Sequence, residues 1–331
     1  MQELQLLMFT VIVLALLFDF INGFHDSANA IATAVSTRAI PPNTAVMMAA
    51  CLDFLGAMVS TGVAKTIGGD IVSDTRIVDE KIIIAALFGA IVWNILTWWF
   101  SMPSSSSHAL IGGMIGAVMV SIGSSGLNFN GIGKIVISLI ASPVVAWFLG
   151  IIIMNILFRL FGSMSPHTVN DKFRKMQILS AASMAFSHGS NDAQKSMGII
   201  TLALFSGGFI TEFEVPTYVK ILCATAMALG VAFGGQRIIK TIGGKIFKLE
   251  PISGFAADLN SSITVFSATL LHLPVSTTHV VSGSIMGVGT AKRVNAVHWG
   301  VAQQMVTAWV MTIPCTAVVG AITYVIVNMI F

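Results

Sequence analysis

The chain has 331 residues, of which 55% are hydrophobic and only 9% charged, with a mean hydropathy of +0.88 and a formal net charge of +3. A soluble globular domain carries roughly 25% charge, so this composition excludes one, and the small positive excess, carried by loops, does not point to nucleic acid. Cys51, Cys223 and Cys315 lie in apolar runs at unrelated spacings, which fits neither a disulfide framework nor a metal site.

In chain order, the apolar run at residues 4–18 lacks a basic leading region and a small-residue cleavage signal, so it reads as a retained span. Further runs at residues 82–100, 135–158 and 301–331 reach or approach the ~20 residues that a crossing helix needs. The fold class expected is therefore an all-α polytopic membrane protein. Two stretches, residues 4–38 and 176–205, are too long for one straight span. Each carries a polar patch, at residues 22–29 and 187–195, where a broken helix is predicted. Residues 82–120 and 255–289 read as helical hairpins, either re-entrant or fully crossing, with turns at PSSSSH (103–108) and PVSTTH (274–279).

Those two hairpin motifs belong to a longer duplication. The patch around His25-Asp26 matches the one around Asn191-Asp192, KTIGGDI at 65–71 matches KTIGGKI at 240–246, and PSSSSH matches PVSTTH, all in the same order. This predicts a first repeat at 1–161, a short cytoplasmic linker at 162–175 and a second repeat at 176–331. With the N-terminus placed outside, 11 of the 17 basic residues fall on the inner side, among them Arg159, Lys172, Arg174 and Lys175. The first half then crosses an odd number of times, so both termini lie outside and the second repeat is inverted, a transporter signature.

A charged residue at the bilayer centre costs ~2.5–3.5 kcal/mol on insertion scales, so the polar patches call for a role. Asp26 with Asn22, and Asp192 with Asn191, offer the carboxylate and amide oxygens that suit sodium; either Asp could also simply cap a half-helix. Ser104, Ser105, Ser106, Ser107, Ser276, Thr277 and Thr278 stand at two Pro-led helix starts, where hydroxyls and backbone N–H groups receive an anion. Ser/Thr runs also serve plain helix packing in membranes. Asn29 and Lys195 extend the donor set. Two helix starts supply about half an elementary charge each, too little for a multiply charged oxyanion, so co-bound cations are expected. His108 and His279 either shape the turns or carry protons, Asp53 is either a helper carboxylate or a bundle contact, and Asp19 and Asp258 are unassigned.

NGFHDSANAIAT from Asn22, HGSNDAQKSMGI from His188, KTIGG twice, PSSSSHALIGG from Pro103 and PVSTTHVVSG from Pro274 together resemble the inorganic phosphate transporter (PiT) family. The resemblance spans both halves. It implies import of inorganic phosphate, driven by sodium or protons, through an inverted-repeat fold that dimerises in the lipid bilayer. It also matches the Asp26 and Asp192 patches to the family's duplicated signature and the Ser and Ser-Thr-Thr runs to its phosphate-binding hairpins. The short central loop points to a compact prokaryotic form, in the plasma (inner) membrane. His25 stands where the family's signature usually has Asn. The expected function is a sodium-coupled phosphate symporter, moving about two sodium ions per phosphate so that their charge offsets a divalent anion. A proton-coupled carrier is the alternative and a sulfate carrier a more distant one. No catalytic residue and no cofactor other than the co-transported ions is expected. An intramembrane hydrolase would need one active site where this chain has two copies, and a passive channel would not need paired acids.

Overall fold

Backbone polar groups in hydrocarbon must be satisfied within the protein, so a chain this apolar folds as helix after helix. The computed structural model describes residues 2–234, 238–239 and 241–331; Arg237, one of the loop basic residues, and Lys240, which opens the second KTIGG copy, lie outside the described residues. The first half contains α1 (Gln2–Ser36), α2 (Pro42–Ala57), α3 (Gly62–Gly69), α4 (Glu80–Trp99), α5 (Ser106–Ser121) and α6 (Phe129–Phe161). The second contains α7 (Pro166–Asp192), α8 (Gln194–Ser206), α9 (Thr217–Phe233), α10 (Pro251–Leu270), α11 (Thr277–Lys292) and α12 (Trp299–Ile330), with a π-helical turn at Thr241–Lys245. Among the described residues α1, α4, α6 and α12 are each long and apolar enough to cross a membrane.

Both hairpins form where expected, as α4–α5 and α10–α11. Their turns match closely: Ser101 and His272 each take a positive φ, 56° and 58°, just before the motif proline. Acidic residues start the first arms, with Asp79 accepting from the Ile82 N–H at 2.8 Å and Glu250 forming a capping box with Ser253.

The predicted breaks fare differently. α1 is one continuous helix across residues 22–29, so the first break does not occur. Asp19, Asn22, Asp26, Asn29 and Thr33 recur at steps of three and four, which collects them on one face of an intact helix. That face is buried, and no backbone carbonyl has to be released for the side chains to meet. The second break is a single residue, Ala193, between α7 and α8. A sharper interruption lies elsewhere: α2 and α3 meet at 73°.

Packing follows the duplication by exchange between halves. α5 lies on α12 and α11 lies on α6; α1 crosses α9 and α7 crosses α2. Small details repeat with the large ones. The Asn128 N–H donates to the Ile71 carbonyl at 3.0 Å, and the His298 N–H donates to the Ile246 carbonyl at 2.9 Å. α6 and α12 carry internal prolines at matching places, Pro143 and Pro314.

Glycines permit these crossings. A Cβ at Gly116 would stand 1.9 Å from the Ala317 carbonyl oxygen, and one at Gly287 would stand 2.1 Å from that of Trp147. Gly116→Ala and Gly287→Ala should each therefore force α5 or α11 away from its partner, costing about 1–3 kcal/mol. The expected result is a melting temperature several degrees lower in detergent, followed by tryptophan fluorescence. Unchanged melting in both would mean the helices can part without cost.

Candidate functional site

The hydroxyl motifs build two matched helix starts. Ser105 caps α5 by accepting from the His108 N–H at 3.2 Å, and Ser276 caps α11 by accepting from the His279 N–H at 3.3 Å. The two starts lie against each other. The rings of His108 and His279 are 4.7 Å apart, His279 stacks on Trp309 at 3.9 Å, and the Ser107 hydroxyl donates to the Val275 carbonyl at 2.9 Å.

Against these starts come α1 and the α7–α8 junction. From α1, the Asn29 amide donates to Thr278 at 2.9 Å and to Thr277 at 3.4 Å. From α8, Lys195 donates to Ser106 at 3.1 Å. Asn29 and Lys195 hold matching places in the duplicated sequence, as do Thr277 and Ser106, so α1 of the first half grips the second hairpin and α8 of the second half the first. Two carboxylates complete the cluster. Asp192 accepts from Lys195 at 2.7 Å and from Thr277 at 3.3 Å, and Asp26 accepts from Thr278 at 3.2 Å. None of these seven residues is more than 2% exposed.

Asp26, Asp192, Asn29, Lys195, Ser106, Thr277 and Thr278 are thus brought together, as the sequence led us to expect. The remaining candidates are buried nearby with their side chains engaged otherwise. Ser105 and Ser276 are caps, Ser107 ties the two hairpins, and Ser104 accepts from the Trp93 indole at 2.9 Å. Asn191 secures the second hairpin turn, its amide donating to Thr269 at 3.0 Å and to the Leu273 carbonyl at 3.3 Å. Asn22 is wholly buried, and neither atom of its amide has a partner.

Several residues join that sequence reading left open or passed over. His25 contacts Asp26 at 2.7 Å through Nδ1 and Thr97 at 3.3 Å through Nε2. His188 contacts Asp53 at 2.8 Å and Asp192 at 3.7 Å. The α2–α7 crossing makes the Asp53 pair possible: a Cβ at Gly189 would stand 2.1 Å from the Asp53 carbonyl oxygen. His188 had one available signal, its position four residues before Asp192 in a helix. Asp258 accepts from Thr33 and, at 3.5 Å, from Ser180, while Thr37 donates to Gln177 at 2.6 Å. This second polar layer sits on the same α1 face, two turns beyond Asp26.

The chemistry available is that of charge compensation. Among the described residues five aspartates are buried (Asp19, Asp26, Asp53, Asp192 and Asp258) against one buried lysine, Lys195, which pairs with Asp192. Asp26, His188 and Asp192 present ligand atoms within 4.8 Å of one another. An anion docked on the hydroxyls would therefore meet excess negative charge unless cations or protons enter with it. If the hydroxyls are the anion's donors, Thr277→Val and Ser106→Ala should each raise the apparent KM for the anion several-fold, each removing one hydrogen bond worth about 0.5–1.5 kcal/mol. Equal KM values for wild type and both variants in initial-rate uptake would place the anion elsewhere.

An all-helical membrane protein whose two halves close on one buried, charged, hydroxyl-rich site has the build of a secondary carrier. The sequence matches the phosphate transporter family over residues 22–320, and the chain belongs to that family; it is a membrane transporter, not an enzyme. It is 50% identical over 333 residues, covering all of both chains, to a protein of Bacillus subtilis (strain 168) named a probable low-affinity inorganic phosphate transporter. A Rhizobium meliloti (strain 1021) protein of the same name is 48% identical over 95% of this chain and 94% of its own. Among solved structures, one titled the sodium-dependent phosphate transporter superposes with a TM-score of 0.90 at 26% identity, covering 98% of this chain and 100% of that one.

Proposed function

We propose that this protein imports inorganic phosphate together with sodium ions, about two per phosphate, by alternating access. The observation that carries the reading is the convergence of Asp26 and Asp192 with Lys195 and the hydroxyls of Ser106, Thr277 and Thr278 in one buried cluster. Sodium held by the Asp26 and Asp192 carboxylates neutralises them, and phosphate then docks between the two hairpin starts and Lys195. Neutral loading is what allows the site to be exposed to the other side without stranding charge in a low-dielectric medium. The sodium dependence named for the solved relative supports this ion. The exchange of packing partners between halves supports repeats at 1–161 and 176–331 joined by the 162–175 linker, and the distribution of basic residues supports their inversion with both termini outside. We infer further that the protein works as a homodimer in the plasma membrane of a prokaryote; the bacterial origin of the relatives named phosphate transporters supports the setting.

Proton coupling is favoured by one specific feature, the two His–Asp contacts at His25–Asp26 and His188–Asp53. Uptake of radiolabelled phosphate into proteoliposomes, with sodium and proton gradients imposed separately, separates the two. Accumulation above equilibrium with an inward sodium gradient at equal pH is the expected result; accumulation only with a proton gradient would make this a proton symporter.

A further inference from the structure

The face of α1 that supplies Asp26 and Asn29 does not end at them. Two turns toward the N-terminus, about 10 Å along the helix, stands Asp19, fully buried at the midpoint of α1. Neither of its carboxylate oxygens has a close hydrogen-bond partner. Asn22, one turn on along the same face, is also fully buried with both amide atoms unpartnered. The side chains facing Asp19 from neighbouring helices are Ser196 of α8 and Cys223 of α9. The Ser196 hydroxyl is buried with no partner other than Asp19. The nearby charged groups are Lys195 and Asp192, already paired with each other at 2.7 Å.

Buried polar groups are almost always satisfied, and each exception calls for an explanation. Here three neighbouring side chains, on two helices, lack close partners at once. An ionised carboxylate with only one hydroxyl and one thiol turned toward it is the most expensive of them. Two oxygens of Asp19 and one each of Asn22, one turn along the same face, and of the facing Ser196 would supply a hard donor set that suits an alkali cation. The single carboxylate balances one positive charge, which fits a monovalent ion, and one thiol among hard oxygens does not make a soft-metal site.

We propose that Asp19, Asn22 and Ser196 form a sodium site separate from the Asp26–Asp192 cluster. The proposal rests on the sodium-coupled reading above. It also assigns Asn22 away from Asp26, with which sequence spacing alone had grouped it. Ser196 directly follows Lys195 in α8, so an ion held by Ser196 braces the turn that presents Lys195 to the hairpin starts. Sodium here and phosphate there thus favour one another through the first turn of α8.

The test is equilibrium binding of radiolabelled sodium to the purified full-length protein, with phosphate present, and with melting curves confirming that each variant is folded. Asp19→Asn is expected to bind one sodium fewer per chain than wild type. Ser196→Ala, which deletes a single oxygen, is expected to keep that ion but require several-fold more sodium for half-saturation; it decides the matter if Asp19→Asn does not fold. Sodium binding of unchanged number and affinity in the folded variants would overturn this site alone. A wild-type protein that binds no sodium would overturn the sodium-coupled reading and this site with it.

Discussion

Asp192→Asn is expected to abolish gradient-driven phosphate uptake while leaving a folded protein. Asp192 is the most connected group of the cluster, touching Lys195 at 2.7 Å, Thr277 at 3.3 Å and His188 at 3.7 Å. The amide keeps the shape but removes the charge. Lys195 then loses its direct ion-pair partner, and breaking such a buried pair by changing one member typically costs ~3–5 kcal/mol. That cost falls on the transport cycle in two ways. On the proposed sodium-coupled reading, a carboxylate that holds the cation is lost, and Lys195 is left to bind phosphate too firmly for release or to lose its orientation. Uptake by proteoliposomes under an imposed sodium gradient is the direct measurement. Near-wild-type sodium-driven uptake in Asp192→Asn would remove this carboxylate from the coupling mechanism. Asp26→Asn should behave alike, since Asp26 binds the same hairpin start through Thr278 at 3.2 Å.

Lys195→Gln should have the second largest effect, and on a different parameter. Two helix starts offer an anion about half an elementary charge each, so Lys195 supplies the full positive charge that the hydroxyls cannot. Its Nζ already donates to Ser106 at 3.1 Å, which places it at the first hairpin. A hydrogen bond to a charged group contributes about 1.5–3 kcal/mol, so removing it should weaken phosphate binding roughly 10- to 150-fold. Glutamine retains a donor of similar length, which keeps the loss electrostatic rather than steric. Apparent phosphate KM and maximal rate, measured at saturating sodium, are the readouts. A KM within twofold of wild type would show that Lys195 serves Asp192 alone.

The two effects together follow from how the halves interlock. Asn29 reaches the second hairpin and Lys195 the first, from matching positions on α1 and α8. Neither half contains a whole site. A carrier with this arrangement can change the relation between its halves and open the cluster to one side, because the Asn29–Thr278, Asp26–Thr278 and Lys195–Ser106 contacts that close it run from one half to the hairpin of the other.

Much of this was legible in the sequence because it is local. The doubled Pro-led motifs announce helix starts, since proline and a hydroxyl cap are favoured there whatever surrounds them, and Ser105 and Ser276 cap as expected. Polar residues in an apolar run must be sheltered, and Asp26 and Asp192 are. The same local reasoning misjudged α1. It took a polar patch for a break, although steps of three and four leave a helix intact and merely stripe one face. It also could not sort the hydroxyl runs, where neighbours in sequence point in different directions around a helix start: Ser106 meets Lys195 while Ser107 meets the Val275 carbonyl.

The sequence by itself determined the class of protein, the duplication, the hairpins and the residue types of the site. These depend on hydrophobic length, cap chemistry and repetition, all of which act over a few residues. Only the tertiary structure decided which side chains meet. The pairing of His188 with Asp53, the division of the hydroxyls between those that meet Lys195, Asp192 and Asp26 and those that cap or tie the hairpins, and the placing of Asp19 beside Ser196 all depend on helices crossing at glycines far apart in the chain. Side-chain contacts across such crossings are set by the close packing of whole helices, and no local pattern encodes them.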